Sequence, residues 1–367
     1  MSKLSRRQVI KSLALSTGAI AFSANPLLSC TFRQPKKLGV ALVGLGYYST
    51  DLLGPALQQT RNCYLAGIVT GTPSKADAWQ KKYQIPDGNI YNYNNFDSIA
   101  NNKNIDVVYV VLPPSMHEEY VVRAAAAGKH VWCEKPMAMT VSACQHMIDA
   151  CRSAKRSLAI GYRLQHEPNT QEWRGIIHDK KLGAVKQVNC AAGYRDNRID
   201  HWKQKREMGG GVLLDMGVYA IQGARLGTGK EPEFIVKAVT STTRPEIYKD
   251  GLDETVVATL EFPGGVIADI KTSFGENINF LDITCAQGKI HMDPYSGYAG
   301  VQGESPLGRI NHPYAVPWQQ ANQMDDDALA IMQSKPMLVP GEEGLRDIRV
   351  VEAIYAAARA GGSVRIS

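Results

Sequence analysis

Val43-Gly44-Leu45-Gly46-Tyr47-Tyr48-Ser49 closes one apolar run, Leu38–Val43, and opens a helical one. Glycine at 44 permits a tight strand-to-helix turn, and glycine at 46 lets the backbone approach a pyrophosphate at the helix N-terminus. The third small position is Ser49, which is compatible with a helix packed on its strand. A lone glycine turn is weak evidence, and its weight comes from the rhythm that follows. Thr50–Gln59 reads as a helix, Tyr64–Thr70 as a strand and Ser74–Lys82 as a helix. Val107–Leu112 is a continuous apolar run, the pattern of a strand buried on both faces. Glu118–Ala127 reads as a helix capped by Gly128, followed by a strand at Lys129–Trp132, a helix over Thr140–Lys155 and a strand at Ser157–Ile160. Strands alternating with helices predict an α/β fold with a doubly wound parallel Rossmann sheet.

The rhythm changes near Tyr162. A helix over Asn169–Asp179 precedes a strand at Val185–Ala192. Strands at Phe234–Thr243, Glu254–Phe262, Val266–Ser273 and Phe280–Cys285 follow with short connections, one of them the hairpin turn Pro263-Gly264-Gly265. A last helix is expected over Glu342–Ala360. The organisation is therefore a targeting segment at 1–30, a nucleotide-binding Rossmann domain at 31–161, and an α+β domain at 162–367 with a largely antiparallel open sheet.

With 367 residues, 44% hydrophobic and 21% charged, the chain has an ordinary globular composition and room for two domains. Its net charge of +6 is inflated by the basic N-terminus, and no Lys/Arg block follows, so no nucleic-acid footprint is present. Seven irregularly spaced cysteines lack a CxxC pair, which indicates neither a zinc site nor a disulfide framework. Asp325-Asp326-Asp327 reads as a helix-start charge cluster rather than a metal site. At the N-terminus, Ser5-Arg6-Arg7-Gln8-Val9-Ile10-Lys11 precedes an apolar run, Leu13 to Phe22, too short to span a bilayer. That is the pattern of a twin-arginine export signal, which carries folded proteins to the periplasm. Leu27-Leu28-Ser29-Cys30 offers a lipid-attachment alternative at Cys30.

The end of the second strand selects the nucleotide. An NAD site wants Asp or Glu there to accept from the ribose 2′-OH. This chain has Thr70-Gly71-Thr72-Pro73-Ser74-Lys75. No carboxylate repels a 2′-phosphate, Thr70 can donate to it and Lys75 supplies positive charge, so the expectation is NADP. Tyr47 beside the glycine turn, Leu112 and Pro113 at the end of the third clear strand, and His117 just beyond are the other candidate cofactor contacts; His117 also reads as a helix-start residue.

Cys133-Glu134-Lys135-Pro136 ends the strand Lys129–Trp132. Proline has no N–H for the ladder, so the strand stops with Glu134 and Lys135 at the carboxyl edge, where open α/β sheets bind ligands. Downstream, Gly209-Gly210-Gly211 precedes Asp215 and Tyr219, four residues apart and so on one helix face. Oxidising a hydroxyl needs a base as hydride leaves for a nicotinamide. A free tyrosine titrates near 10, and a neighbouring ammonium favours its phenolate. Lys135 and Tyr219 thus form a candidate acid–base pair, with Asp215 either bonding a second substrate hydroxyl or holding Lys135. Arg163 at the crossing between domains is a candidate for substrate or nicotinamide ribose. Trp202 and Lys203 are candidates to cover the nicotinamide, and Tyr298 to face a sugar.

These stretches resemble the glucose–fructose oxidoreductase, inositol dehydrogenase and rhizopine-catabolism family across essentially the whole chain after the signal. Gly44-Leu45-Gly46, Ala127-Gly128-Lys129-His130-Val131, Glu134-Lys135-Pro136-Met137 and Asp215-Met216-Gly217-Val218-Tyr219 carry it, with Pro340-Gly341-Glu342-Glu343-Gly344 in the tail. Many relatives have histidine where Tyr219 stands, and tyrosine there resembles the glucose–fructose oxidoreductase subgroup. The resemblance implies tightly held NADP(H), oxidation of an aldose to its lactone, and reduction of a second sugar to a polyol. It implies a homodimer or homotetramer through the C-terminal sheet. The subgroup's N-terminal arm has only a short counterpart at Phe32–Lys36. Three rival readings are an NADP-dependent sugar dehydrogenase with exchangeable cofactor, a nucleotide-dependent glycosidase, and a sugar-sensing protein with a vestigial site.

Overall fold

The computed structural model describes residues 37–366. The leader, Cys30 and the Phe32–Lys36 segment lie outside them. Six strands form the first sheet: β1 (Leu38–Val43), β2 (Cys63–Val69), β3 (Ile90–Tyr91), β4 (Val107–Val110), β5 (His130–Cys133) and β6 (Leu158–Ile160). Their order is β3-β2-β1-β4-β5-β6 and every pairing is parallel. This is the Rossmann order, with its topological switch between β1 and β4. The continuous apolar runs have a direct cause. Val40, Leu42, Val107 and Tyr109 pack into one core and Ala41, Val43, Val108 and Val110 into another, so both faces are covered.

The flanking helices follow the expected positions within two residues, except that the first ends at Ala56, three residues before the expected Gln59. They are α1 (Tyr48–Leu53, running on through Gly54–Ala56), α2 (Pro73–Tyr83), α3 (His117–Ala126) and α4 (Val141–Ser153). Gly128 leaves α3 at φ 74°, and the Thr140 side chain caps α4 by accepting the Ala143 N–H. Two-residue β3 was not anticipated, being too short to show any period.

Beyond Tyr162, α5 (Pro168–His178) leads to β7 (Val185–Gly193), then α6 (Leu213–Gly217, continuing as Val218–Thr228). The second sheet adds β8 (Phe234–Ser241), β9 (Thr255–Phe262), β10 (Val266–Ser273), β11 (Ile278–Cys285), β12 (Gly288–Met292), β13 (Gly303–Ser305), β14 (Gly308–Ile310) and β15 (Val364–Arg365). Its order is β14-β13-β12-β11-β7-β10-β9-β8-β15, antiparallel except for the β7–β10 pair. Helix α6 covers one face, its Gly227 packed on Ile283 and Val188. On the strands' other side Val239 and Val257 are half exposed.

Two helices close the chain, α7 (Trp318–Met332) and α8 (Gly341–Ala360). Asp325-Asp326-Asp327 does not start a helix, as its composition suggested, but falls in the second half of α7. There the Asp325 carboxylate accepts the backbone N–H of Arg61 at 2.8 Å and of Asn62 at 2.7 Å, so α7 returns to the first sheet. The described residues form one compact unit. The six cysteines among them are free and buried. No helix among these residues is long and apolar enough to cross a membrane.

Candidate active site

A cleft of about 890 Å³ runs along the carboxyl edge of the first sheet. Its first end is made by backbone turns. Gly44, at φ 93°, sits where a Cβ would overlap the Val111 carbonyl, which admits only glycine. Gly46 has open space around its Cα, with nothing within 4 Å of where a Cβ would sit. Ser49, fully buried, donates its hydroxyl to the Gly44 carbonyl at 2.6 Å and pins the helix to the turn. Tyr47 is 65% exposed at the mouth. Thr70 accepts the Thr72 N–H at 3.2 Å and keeps its own hydroxyl hydrogen to donate. Lys75 reaches back to the Leu45 carbonyl at 3.0 Å, which brings its ammonium over the glycine turn. Leu112 and Pro113 line the same wall. An open cradle of backbone, a hydroxyl donor and one ammonium fit a dinucleotide.

His117 is corrected by the structure. It does not line the cleft but lies fully buried behind it, Nε2 against the Leu112 carbonyl at 2.8 Å and Nδ1 against the Pro136 carbonyl at 3.0 Å. Both ring nitrogens are thus committed to stitching the end of β4 to the Lys135 turn, and none is left for a cofactor.

The other end of the cleft is built from charges. Lys135 donates from Nζ to the Asp215 carbonyl at 2.8 Å and lies 3.4 Å from its Oδ1. Lys203 Nζ is 2.6 Å from Asp215 Oδ2. Burial would raise the Asp215 carboxyl, but the two ammonium groups hold it well below the usual carboxylate range. Of the two roles open to Asp215, the geometry has it holding Lys135. Tyr219, one helical turn on, presents its ring 4.6 Å from Lys135 Nζ. Glu134 differs from Asp215: burial pushes its carboxyl up to about 7, although it accepts the Tyr109 hydroxyl at 2.6 Å. Arg163, Trp202 and Tyr298 also line the cleft.

Three glycines bring α6 into place. A Cβ on Gly209 would stand 2.7 Å from Pro114 of the cleft wall, and one on Gly210 would stand 2.6 Å from the Lys203 carbonyl. Gly211, at φ 106°, lies against the Asp253 carboxylate, whose Oδ2 accepts the Leu213 N–H at 2.8 Å. Asp253 was not anticipated, and neither was Tyr194, whose hydroxyl accepts from Lys203 at 3.0 Å and from Arg198 at 3.0 Å. Both act from strands or loops whose sequence carries no local sign of the contact.

Residues 38–162 match the family model described as "Oxidoreductase family, NAD-binding Rossmann fold", and residues 170–291 match the GFO/IDH/MocA C-terminal domain. The chain is 38% identical to the aldose-aldose oxidoreductase of Caulobacter crescentus, crystallised with glycerol; the match covers 90% of this chain and all of that one at a TM-score of 0.86. It is 25% identical to the D-xylose 1-dehydrogenase [NADP(+)] of Haloarcula marismortui over 89% of this chain and 92% of that protein. A levoglucosan dehydrogenase solved with NADH and levoglucosan shares the fold at 19% identity and a TM-score of 0.78, over 90% of this chain and all of that one.

Proposed function

Because the chain belongs to the GFO/IDH/MocA family of NAD-binding oxidoreductases, we propose that it is a sugar oxidoreductase with tightly bound NADP(H). It oxidises an aldose to its lactone and reduces a second sugar to a polyol. The observation that carries this reading is the convergence of Lys135, Asp215 and Tyr219 at one end of a cleft whose other end is a nucleotide cradle. When bound, a nicotinamide supplies the hydride chemistry, taking hydride from one sugar carbon and returning it to another. Tyr219 takes the proton from the donor hydroxyl and later returns it to the acceptor oxygen. Lys135 stands beside Tyr219, its Nζ 4.6 Å from the ring centre, and Asp215 fixes Lys135 from its side chain and carbonyl. Thr70 and Lys75 favour NADP, in keeping with the name of the Haloarcula relative. Glu134, Leu112, Pro113, Trp202 and Lys203 complete the cofactor wall, and Tyr298 faces the sugar.

In this reading residues 31–161 hold the nucleotide, and residues 162–367 bind substrate and associate through the open sheet face as a homodimer or homotetramer. The leader sends the folded, loaded enzyme to the periplasm, where no fresh nucleotide is supplied. The second reading, a sugar dehydrogenase with exchangeable NADP, is favoured by the name of the xylose-oxidising relative. One experiment separates them. Protein purified without added nucleotide is denatured and any released nucleotide identified; intact protein is then given glucose with and without fructose. Lactone formed without added cofactor, and only when an acceptor sugar is present, supports the two-sugar cycle. Turnover that requires added NADP supports the dehydrogenase.

A further inference from the structure

A dinucleotide carries a flat adenine besides its phosphates and sugars, and a cradle of backbone N–H groups offers nothing to the face of a base. Stacking on an aromatic side chain supplies that contact, because every base has a π-face. Among the described residues, Tyr93 is the aromatic side chain that lines the nucleotide end of the cleft. The cleft's other aromatic side chains gather at the reacting end. Tyr48 and Tyr47 interact with Tyr298, Tyr194 and Trp202 flank Lys203, and Tyr219 stands beside Lys135.

Strand pairing puts Tyr93 where it is. The Thr70 N–H donates to the Tyr91 carbonyl at 3.0 Å, so the chain leaving β3 runs beside Thr70-Gly71-Thr72. A Cβ on Gly71 would stand 3.0 Å from the Tyr93 ring, so the glycine makes room for the ring there. The strand order places β2 and β3 on one side of the Gly44 turn and β4 on the other. Tyr93 therefore borders the cradle from one side, and Leu112 and Pro113 border it from the other.

The ring is also held without a ligand. Asn92 Oδ1 accepts the N–H of Asn94 at 2.9 Å and of Asn95 at 3.1 Å, and Asn95 Oδ1 accepts the Asn92 N–H at 2.8 Å. Arg123 of α3 donates to the Tyr93 carbonyl at 3.2 Å, while Asp97 and Glu119 hold its guanidinium. Tyr120 of the same helix meets the Tyr93 ring edge to face, with centres 5.4 Å apart. A ring fixed in this way need not be ordered when a ligand arrives, which favours affinity.

We propose that Tyr93 is the base-binding residue of the cleft, its ring stacking on the adenine of the bound dinucleotide. This rests on the reading of the Gly44 and Gly46 turn as a nucleotide cradle. Thr70 and Lys75 choose between the phosphorylated and unphosphorylated ribose, whereas Tyr93 adds affinity common to both nucleotides and so helps retain whichever is bound.

The test uses the full chain purified with its own nucleotide. Tyr93→Leu should release that nucleotide about tenfold faster on dilution, the equivalent of about 1.4 kcal/mol, whereas Tyr93→Phe should release it at the wild-type rate. Competition separates stacking from a general loosening of the site. Nicotinamide mononucleotide lacks the adenine, so it should displace the bound nucleotide from Tyr93→Leu at about a tenth of the concentration that wild type needs. ADP carries the adenine, and its half-displacing concentration should stay unchanged. If both competitors act on Tyr93→Leu as they do on wild type, Tyr93 is scaffold and the proposal falls. A Tyr93→Phe variant that releases nucleotide as fast as Tyr93→Leu overturns it as well, since the hydroxyl would then be the contact. If Tyr93→Leu does not fold, Gly71→Ala, which presses a Cβ against the ring, is judged by the same criteria. Wild-type protein that neither retains nor takes up nucleotide overturns the cradle itself. Wild-type protein that retains it, beside an unchanged Tyr93→Leu, overturns only the role of Tyr93.

Discussion

The two ends of the cleft are made of different materials. The nucleotide end is backbone and clearance: one glycine forced by a neighbouring carbonyl, another with open space, and a hydroxyl that pins the turn. The reacting end is side-chain charge held by side-chain charge, with Asp215 between two ammonium groups and Tyr219 flanked by two cations. A cradle of backbone takes a common ligand in one pose, because its geometry is fixed by the fold. A network of charges sets protonation states, and it fails when any member is removed. Substitutions at the two ends should therefore separate binding from chemistry.

The largest separation is expected at Tyr219. Tyr219→Phe removes the hydroxyl proposed to transfer the proton and should lower kcat by about 10²–10⁴-fold, the contribution general acid–base groups make. Nucleotide content should stay at the wild-type level, since the ring stays and the cradle lies at the other end. Loss of nucleotide together with turnover would merge the two ends into one.

The second expectation concerns Glu134, whose carboxyl titrates oppositely to Asp215 in the same wall. Its folded value of about 7 lies above that of an unfolded glutamate. As pH rises, the unfolded chain loses this proton first while the native state keeps it, so native stability falls until the folded group also ionises near 7, then levels. Glu134→Gln does not titrate and keeps an acceptor for Tyr109. Its stability relative to wild type should rise between pH 5 and 7 by about 2 kcal/mol, at 1.36 kcal/mol per unit over the part of the range where only the unfolded chain is ionised. Thermal unfolding across that range checks it, and a difference independent of pH would remove Glu134 as a buried acid.

How legible each end was follows from the same contrast. The nucleotide end sits within a few residues of β1 and β2, so Gly44, Gly46, Thr70 and Lys75 could be read from spacing alone. Both-face burial made β1 and β4 plain as apolar runs, while two-residue β3 and three-residue β13 and β14 are too short for a period to show. The reacting end joins residues 135, 163, 203, 215, 219 and 298, which only the fold brings together. Lys135, Asp215 and Tyr219 were visible because a proline and a glycine cluster mark their turns. Tyr194 and Asp253 were not, because a strand-end tyrosine and a loop aspartate look the same whether or not they reach a buried helix. His117 was misplaced for a related reason: its position after a cofactor turn says nothing of the carbonyls that claim both its nitrogens.

Glycine substitutions give the third contrast. Gly211→Ala puts a Cβ against the Asp253 carboxylate at φ 106°, and strain of this kind costs about 1–3 kcal/mol. It should lower Tm and turnover together, because the turn aims Asp215 and Tyr219. Gly46→Ala meets no protein atom, so Tm of the nucleotide-free protein should not move, while nucleotide content falls. If both variants lose only stability, the first turn is a packing device rather than a cradle.

The smallest effect tests what the cradle selects. Thr70 keeps a hydroxyl hydrogen to donate, and Lys75 brings an ammonium over the same turn. Thr70→Asp puts a carboxylate where a ribose 2′-hydroxyl would donate to it and a 2′-phosphate would be repelled. The preference for NADP over NAD should then fall by about tenfold or more, one lost charge-assisted bond and one new repulsion each amounting to roughly 1–2 kcal/mol. The reading comes from protein stripped of nucleotide and titrated with each form separately, so chemistry at the reacting end does not enter. Lys75→Ala should shift preference in the same direction by less, because its ammonium already spends a bond on the Leu45 carbonyl. A Thr70→Asp variant that discriminates as wild type does would mean the end of β2 does not choose the nucleotide. The choice would then have to come from the reacting end, and the division of labour between the two ends would no longer hold.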